Sequence, residues 1–227
     1  MKSNLARLEQ TLGYKFKNPK LLEEALCHKS YINESNGNVK SYERLEFLGD
    51  SVLGVVVSRY IYDNYSSFPE GELTKLRASV VCERTLSQMA RKLNIGDCIY
   101  LSKGESQSGG ADKDAILCDV FEAVIAAIYL DSDMANARVF ILNNMSDAIS
   151  EQAKLGNDSN DYKTNLQEIV QQSGGTVEYK IVSETGPDHA KQYEAVVCVN
   201  GKSIARGIGA SKKKAHQEAA KNAINKL

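Results

Sequence analysis

The run Glu43-Arg44-Leu45-Glu46-Phe47-Leu48-Gly49-Asp50-Ser51, followed by the apolar stretch Val52–Val57, constrains this chain more than any other segment. At 3.6 residues per turn, Glu43, Glu46 and Asp50 fall within about 60° of one another on one helix face. Leu45, Leu48, Val52, Val55 and Val56 occupy the rest of the circumference, so most of this helix is expected inside a core. A buried anion has to be paired or bound to a metal. Acids three and four residues apart also repel one another, which a purely structural helix would avoid.

A second helix, expected over about Ala115–Leu130, repeats the theme. Asp119 and Glu122 stand at i, i+3 among Ile116, Leu117, Val120, Phe121, Val124, Ile125 and Ile128. Two apolar helices that each carry a carboxylate pair can converge on a common point. Clustered carboxylates with few imidazoles and no paired thiols suit a hard cation, Mg²⁺ or Mn²⁺. Two such ions best support in-line attack of water on a phosphodiester. The alternative is a solvated helix face with acids at permitted spacings; the Leu and Val surroundings and the second acidic helix weigh against it.

The remaining N-terminal sequence is expected to be essentially all α. Leu5, Leu8 and Leu12, then Leu21, Leu22, Ala25 and Leu26, mark two helical pieces punctuated by Gly13 and Asn18-Pro19. Ser41 is the expected N-cap of the acidic helix. Helical spacing resumes over residues 72–93, and Lys103–Gly110 is expected to be a flexible loop. Residues 151–160 are expected to be a linker because Gly156-Asn157-Asp158-Ser159-Asn160 is polar.

Beyond the linker the period changes. A short helix over Lys163–Ser173 precedes strands around Val177–Ile181, Tyr193–Val199 and Ile204–Ile208, with Asn200-Gly201 as a hairpin turn. Ala215, Ala219, Ala220, Ala223 and Ile224 stripe a last helix, for which Ser211 is the expected N-cap. Charge divides along the same line. Residues 161–227 hold ten Lys and Arg against seven Asp and Glu, a net of +3, whereas the rest carries 18 against 22, a net of −4. Ser211-Lys212-Lys213-Lys214 puts ammonium groups where free N–H groups and the helix dipole already favour an anion, and a phosphate backbone is the obvious ligand. A lysine triplet on a solvated surface is the plainer reading. The loop Gly186-Pro187-Asp188-His189 and Gln167 on the opening helix favour a binding face, and duplex RNA suits it better than single strands because stacking aromatics are lacking.

Other chemistries recede. The five cysteines are scattered without a CxxC pair, so reduced thiols are expected rather than a disulfide framework or zinc site. His28 beside Cys27 is expected to pack or cap, since helix neighbours point apart. Met1–Leu5 leads into charged residues without a signal-peptide core, and no apolar run approaches the ~18 residues of a membrane span. A cytoplasmic protein with no membrane contact and no small-molecule cofactor is therefore expected.

The residues 43–51 resemble the signature of the ribonuclease III family. Leu12-Gly13-Tyr14, Ala25–Ser30, Glu70-Gly71-Glu72-Leu73, Lys75-Leu76-Arg77-Ala78 and Asp119-Val120-Phe121-Glu122-Ala123 extend the likeness in the right order. In the tail, Lys163–Glu168, Gly186–His189 and Ser211–Ala215 are similar to a double-stranded-RNA-binding domain. The resemblance implies an all-α endonuclease domain (1–150), a flexible linker (151–160) and an α-β-β-β-α duplex-RNA-binding domain (161–227).

It also implies a homodimer that cuts double-stranded RNA in a Mg²⁺-dependent reaction, with Mn²⁺ as a possible substitute, leaving 5′-phosphates and short 3′ overhangs. Glu46, Asp50, Asp119 and Glu122 would hold the metal, with Asp50 and Glu122 catalytic. Glu43 and Glu70 would also be catalytic, in a supporting role at the same acidic site, through the substrate or a second metal. Phe47 would enter a socket on the partner subunit. Thr164, Gln167, Glu168 and Gln171 would meet one minor groove, His189 the next, and Ser211, Lys212 and Lys213 the phosphates between. The sequence departs from the family's pattern at Ala111, Cys118, Ala126 and His216, none of them a metal-ligand position. A duplex-binding regulator that no longer cuts is the competing class. An acidic cluster facing phosphates would only weaken such a protein's binding unless a cation intervened.

Overall fold

The computed structural model describes residues 2–35, 39–158, 162–187 and 191–226. The chain forms two compact units, Met1–Gly156 and Asn157–Leu227.

The first unit is helical: α1 (Lys2–Leu12), α2 (Pro19–Ala25), α3 (Lys29–Glu34), α4 (Glu43–Asn64), α5 (Glu70–Val80), α6 (Glu83–Lys92), α7 (Lys103–Gln107), α8 (Asp114–Asp131) and α9 (Met134–Asp158), with 3₁₀ turns at Ile95–Cys98 and Gly110–Asp112. An isolated parallel bridge joins Cys27 to Tyr100. Helix α8 is the axis of the core. Ile116, Leu117, Val120, Phe121 and every residue from Ala123 to Ile128 are buried, so it is apolar all round, as expected of a helix surrounded by others. Helix α4 lies against it through Leu45, Gly49, Val52, Leu53, Val56 and Val57. Gly49 sets the separation: a Cβ there would come within 1.8 Å of the Glu122 carbonyl oxygen. Glycine inside a helix costs about 1 kcal/mol relative to alanine, and here it lets two backbones meet.

Four local expectations need correction. Tyr42, not Ser41, is the N-cap residue of α4, and it makes no side-chain cap. The Ser41 hydroxyl donates instead to Glu43 Oε2 at 2.9 Å. Helical spacing over residues 72–93 hides a break at Val81 and Cys82, where the extended backbone of Cys82 separates α5 from α6. The segment Lys103–Gly110 is ordered, not a loop throughout: Ser102 Oγ caps α7 by accepting from Glu105 N–H, and the Lys113 ammonium lies 2.7 Å from Glu105. Residues 151–158, expected as a flexible linker, are helical and continue α9, and residues 159 and 160 lie outside the described residues. Ala137, Ile141, Met145, Ile149 and Ala153 recur every fourth residue and are all buried, so tertiary packing carries the helix through the polar sequence.

The second unit follows the expected order: α10 (Tyr162–Gln172), β1 (Val177–Thr185), β2 (Gln192–Val199), β3 (Lys202–Gly209) and α11 (Lys212–Ile224). The strands form an antiparallel sheet in the order β1-β2-β3. Asn200 and Gly201 both take positive φ, 50° and 78°, at the tight β2–β3 turn. Leu166 and Val170 of α10, Ala195 and Val197 of β2, and Ala215, Ala219, Ala220 and Ala223 of α11 form the core. Its small side chains bring α11 close: a Cβ at Gly207 of β3 would come within 2.1 Å of the Ala219 nitrogen. Ser211 caps α11, its Oγ accepting from Lys214 N–H at 3.2 Å.

Candidate active site

The close approach at Gly49 decides where the acids go. Glu46 and Asp50 flank it on α4; Glu122 supplies the carbonyl that it faces on α8, and Asp119 stands one turn earlier. These four carboxylates act on one another. Burial pushes Glu122 up to about 8, with Asp50, Glu46 and Asp119 adding in that order. Glu46 is raised from its ordinary value by burial, then by Asp119 and Glu43. Burial also raises Asp119, while a hydrogen bond from Tyr42 and the charges of His28 and Lys29 oppose it. Like charges in a partly desolvated pocket favour the neutral form, and a cation reverses that preference.

The other acids of the sequence reading take different places. Glu43, in the first turn of α4, is half exposed with its Oε1 3.6 Å from Lys29 Nζ, on the rim of the cluster. Glu70 heads α5, and its Oε1 accepts from Thr74 Oγ1 at 2.8 Å. It is not among the charges acting on Glu122.

The donor set fits a hard divalent cation. Every candidate ligand is a carboxylate, and Cys118, raised to about 12 chiefly by burial and then by Glu122 and Asp119, offers no thiolate. Among the described residues, no three His, Cys, Asp or Glu side chains are gathered closely enough to chelate an ion as they stand.

Beside the cluster a groove of about 560 Å³ is lined by Asp50, Ser51, Gly54, Val55, Ser58, Arg77, Ala78 and Val81. Phe47 is 78% exposed on α4, and Val55 and Tyr62 of that helix are also exposed. At positions 47, 55 and 62 they fall within about 80° of arc, an apolar stripe facing away from α8.

In the second unit, Thr164, Gln167, Glu168 and Gln171 stand at i, i+3, i+4, i+7 on the exposed face of α10, opposite buried Leu166 and Val170. Lys212 and Lys213 are exposed in the first turn of α11, with Ser211 committed to the cap. Lys212 Nζ sits 5.8 Å from the Tyr193 ring centroid. His189 lies outside the described residues. His28 caps α3, its Nδ1 accepting from Ser30 N–H at 3.2 Å, as expected of a capping histidine.

Two residues near the acids went unread in the sequence. Lys29 brings a positive charge to Glu43, and Tyr42 bonds Asp119. Neither stands out: a lysine in a polar segment and a tyrosine before a helix are ordinary. The oddity of glycine inside the apolar α4 did carry a signal.

Comparison with known proteins agrees with this architecture. A family model described as Ribonuclease-III-like matches residues 18–149, and one for the double-stranded RNA binding motif matches residues 162–227. Ribonuclease 3 of Desulforamulus reducens is 46% identical over 223 residues, covering 97% of this chain and 90% of that protein. The solved nuclease domain of ribonuclease III from Campylobacter jejuni superposes with a TM-score of 0.59 at 41% identity, covering 64% of this chain and 95% of that one. A second structure of that domain, with structural flexibility in a region involved in dimer formation, gives a TM-score of 0.57 at 41% identity, covering 62% and 97%. With acids on two core helices that meet at Gly49 and a tail built as a duplex-RNA-binding motif, the chain belongs to the ribonuclease III family.

Proposed function

We infer that this chain is an endoribonuclease that hydrolyses phosphodiester bonds of double-stranded RNA in a divalent-metal-dependent reaction. The observation that carries the reading is the convergence of Glu46, Asp50, Asp119 and Glu122 at the α4–α8 junction, where Glu122 rises to about 8. A regulator that only bound RNA would be weakened by that cluster.

Glu46, Asp50, Asp119 and Glu122 would hold the ion in this reading, Mg²⁺ by preference with Mn²⁺ as substitute. A bound divalent ion supplies Lewis-acid polarisation of a phosphate oxygen and a water acidic enough to attack. Glu122, whose protonated form burial favours, would have to be ionised to hold the ion. Asp50 lies between the carboxylate cluster and the groove beside it, at the border of acid and substrate. Glu43 supports the rim, and Glu70 acts in substrate binding rather than as a member of the four-acid cluster. The products carry 5′-phosphates and short 3′ overhangs.

Residues 161–227 bind the duplex. Thr164, Gln167, Glu168 and Gln171 meet one minor groove, His189 the next, and Ser211, Lys212 and Lys213 the phosphates. Residues 1–150 are the nuclease, and they form a homodimer through the apolar stripe of α4, with Phe47 entering a socket on the partner. The exposure of Phe47, Val55 and Tyr62 supports that assembly. Among the described residues no helix is long and apolar enough to cross a membrane, and we place the protein in the cytoplasm.

The test is cleavage of a long labelled RNA duplex with Mg²⁺, beside a Mg²⁺-free control and Glu122→Gln. Short defined products from the parent alone are expected. Retarded but intact RNA in every lane would leave a duplex-binding regulator.

A further inference from the structure

We propose that Tyr42 is a positioning residue of the acid cluster, holding Asp119 of α8 in register with Glu46 of α4 so that the two helices present a divalent-cation site. The inference rests on the metal-dependent reading above and adds to it the residue that ties its two halves together.

Tyr42 is 3% exposed and reaches both helices. Its hydroxyl donates to Asp119 Oδ2 at 3.1 Å, and its carbonyl accepts from Glu46 N–H at 2.8 Å. Its own N–H donates to the Cys27 carbonyl at 2.9 Å, and its ring lies 5.8 Å from that of His28. One residue is thereby anchored to the backbone behind it, to the first turn of α4 in front, and to a carboxylate of α8 across the junction.

Local structure gives no reason for this choice. The residue occupies the N-cap of α4, where Ser, Thr, Asp or Asn would add about 1 kcal/mol by capping, and it makes no side-chain cap. Phenylalanine would fill the same buried space. What remains is the hydroxyl, which must find a partner once buried. Its partner is a member of the acid cluster. Packing accounts for the ring, which lies in the core, but not for the hydroxyl, and a polar group that packing does not require is where a functional constraint is expected.

The chemistry suits a metal site. A phenol orients a carboxylate by donating to one oxygen, yet it carries no positive charge that would compete with the cation, as an ammonium in that place would. Ligand carboxylates are ordinarily fixed by such outer hydrogen bonds. Burial, then the charge of Asp119, hold the phenol proton far above its ordinary range, so Tyr42 remains a donor at any working pH. In return its bond offsets part of the burial effect on Asp119.

The experiment compares the full-length parent, Tyr42→Phe and Glu122→Gln for Mn²⁺ binding, read from the free-ion electron paramagnetic resonance signal, and for the Mg²⁺ dependence of cleavage. Tyr42→Phe should bind Mn²⁺ about tenfold or more weakly, the usual effect of removing an outer-shell partner. Its kcat should recover at saturating Mg²⁺, so the change lies in the ion concentration required. A purely structural role would instead lower the metal-free Tm and leave ion affinity at the parent's value, and that result overturns the proposal. Replacing Tyr42 by 4-aminophenylalanine, which keeps a ring and a para donor, should restore ion affinity; failure to restore it in a folded protein also overturns the positioning role. Equal Mn²⁺ binding by the parent and Glu122→Gln would overturn the metal reading itself, and the role of Tyr42 with it.

Discussion

In the proposed reading, the α4–α8 junction and the start of α11 would meet the same polyanion on opposite electrostatic terms. At the junction, Glu46, Asp119 and Glu122 are partly withdrawn from water with Asp50 exposed at the edge, and Glu122 is pushed to about 8. At α11, Lys212 and Lys213 stand exposed beside free helix N–H groups. The first arrangement favours the neutral form of its acids, a preference that a bound cation would oppose. The second has nothing of the kind to overcome, because exposed ammonium groups keep their hydration until phosphate displaces it. The contrast shows why the acids need a rigid core around them and the lysines need only a capped helix. A repulsive cluster persists where packing over-determines it, whereas an attractive surface has only to be reachable.

Four measurements would break or sharpen that contrast. The largest effect is expected from Glu122→Gln, which should lower cleavage by more than about 10³-fold, beyond the loss typical of one oxyanion donor. It should leave the affinity for duplex RNA in Mg²⁺-free buffer within a few-fold of the parent, as read by gel retardation. A parallel loss of binding would mean that the two regions are not separable in function.

Next is Gly49→Ala, which leaves every acid in place but forces α4 away from α8 at a backbone contact of 1.8 Å. Overpacking of this kind costs roughly 1–3 kcal/mol or more, and each kcal/mol lowers Tm by about 2–4 °C in a chain of this size. A variant with unchanged Tm and full activity would show that the close approach does not hold the site.

Lys212→Ala with Lys213→Ala should act in the opposite sense to Glu122→Gln. Duplex affinity should fall at every sequence, and the dependence of log K on log salt should flatten by about 2 if both lysines contact phosphates. At saturating RNA, turnover should change little. An unaltered salt slope would remove these lysines from the phosphate face.

The smallest effect is the pH dependence of stability without divalent ions. Glu122 rises from 4.5 to about 8 in the folded chain, so the native state holds more protons than the unfolded state between those values. The stability contribution tied to this group is therefore complete below about 4.5 and is lost as pH rises toward 8. Glu122→Gln should flatten this part of the profile, and saturating Mg²⁺ should flatten it in the parent by favouring the ionised carboxylate and so drawing the folded-state value back down. The comparison of Tm at pH 5.5 and 8 in both proteins, with and without Mg²⁺, checks each sign.

Much of this molecule was legible in one dimension because its signals are local. Periodicity exposed α4 and α8, and Asn200-Gly201 and Ser211 marked a turn and a cap whose causes lie within a few residues. Where neighbours in space decided the outcome, the reading went astray. Ala153 is buried by other helices and so carries α9 through sequence with the composition of a linker. Glu105, tied to Lys113 and to the Ser102 cap, turns an apparent loop into α7.

The same division runs through the site. The residue types and their spacing on two apolar helices are sequence properties; they put Glu43, Glu46 and Asp50 on one face and Asp119 and Glu122 on another, and the likeness to the ribonuclease III family narrowed the expected metal ligands to four. Which acids face one another is a tertiary matter. It depends on a glycine that lets α8 touch α4, on a tyrosine 77 residues from Asp119 that bonds it across the junction, and on burial that lifts Glu122 and leaves Glu70 on another helix. Spacing along a helix fixes the direction of a side chain. The distance between two helices is set by the atoms that meet where they cross.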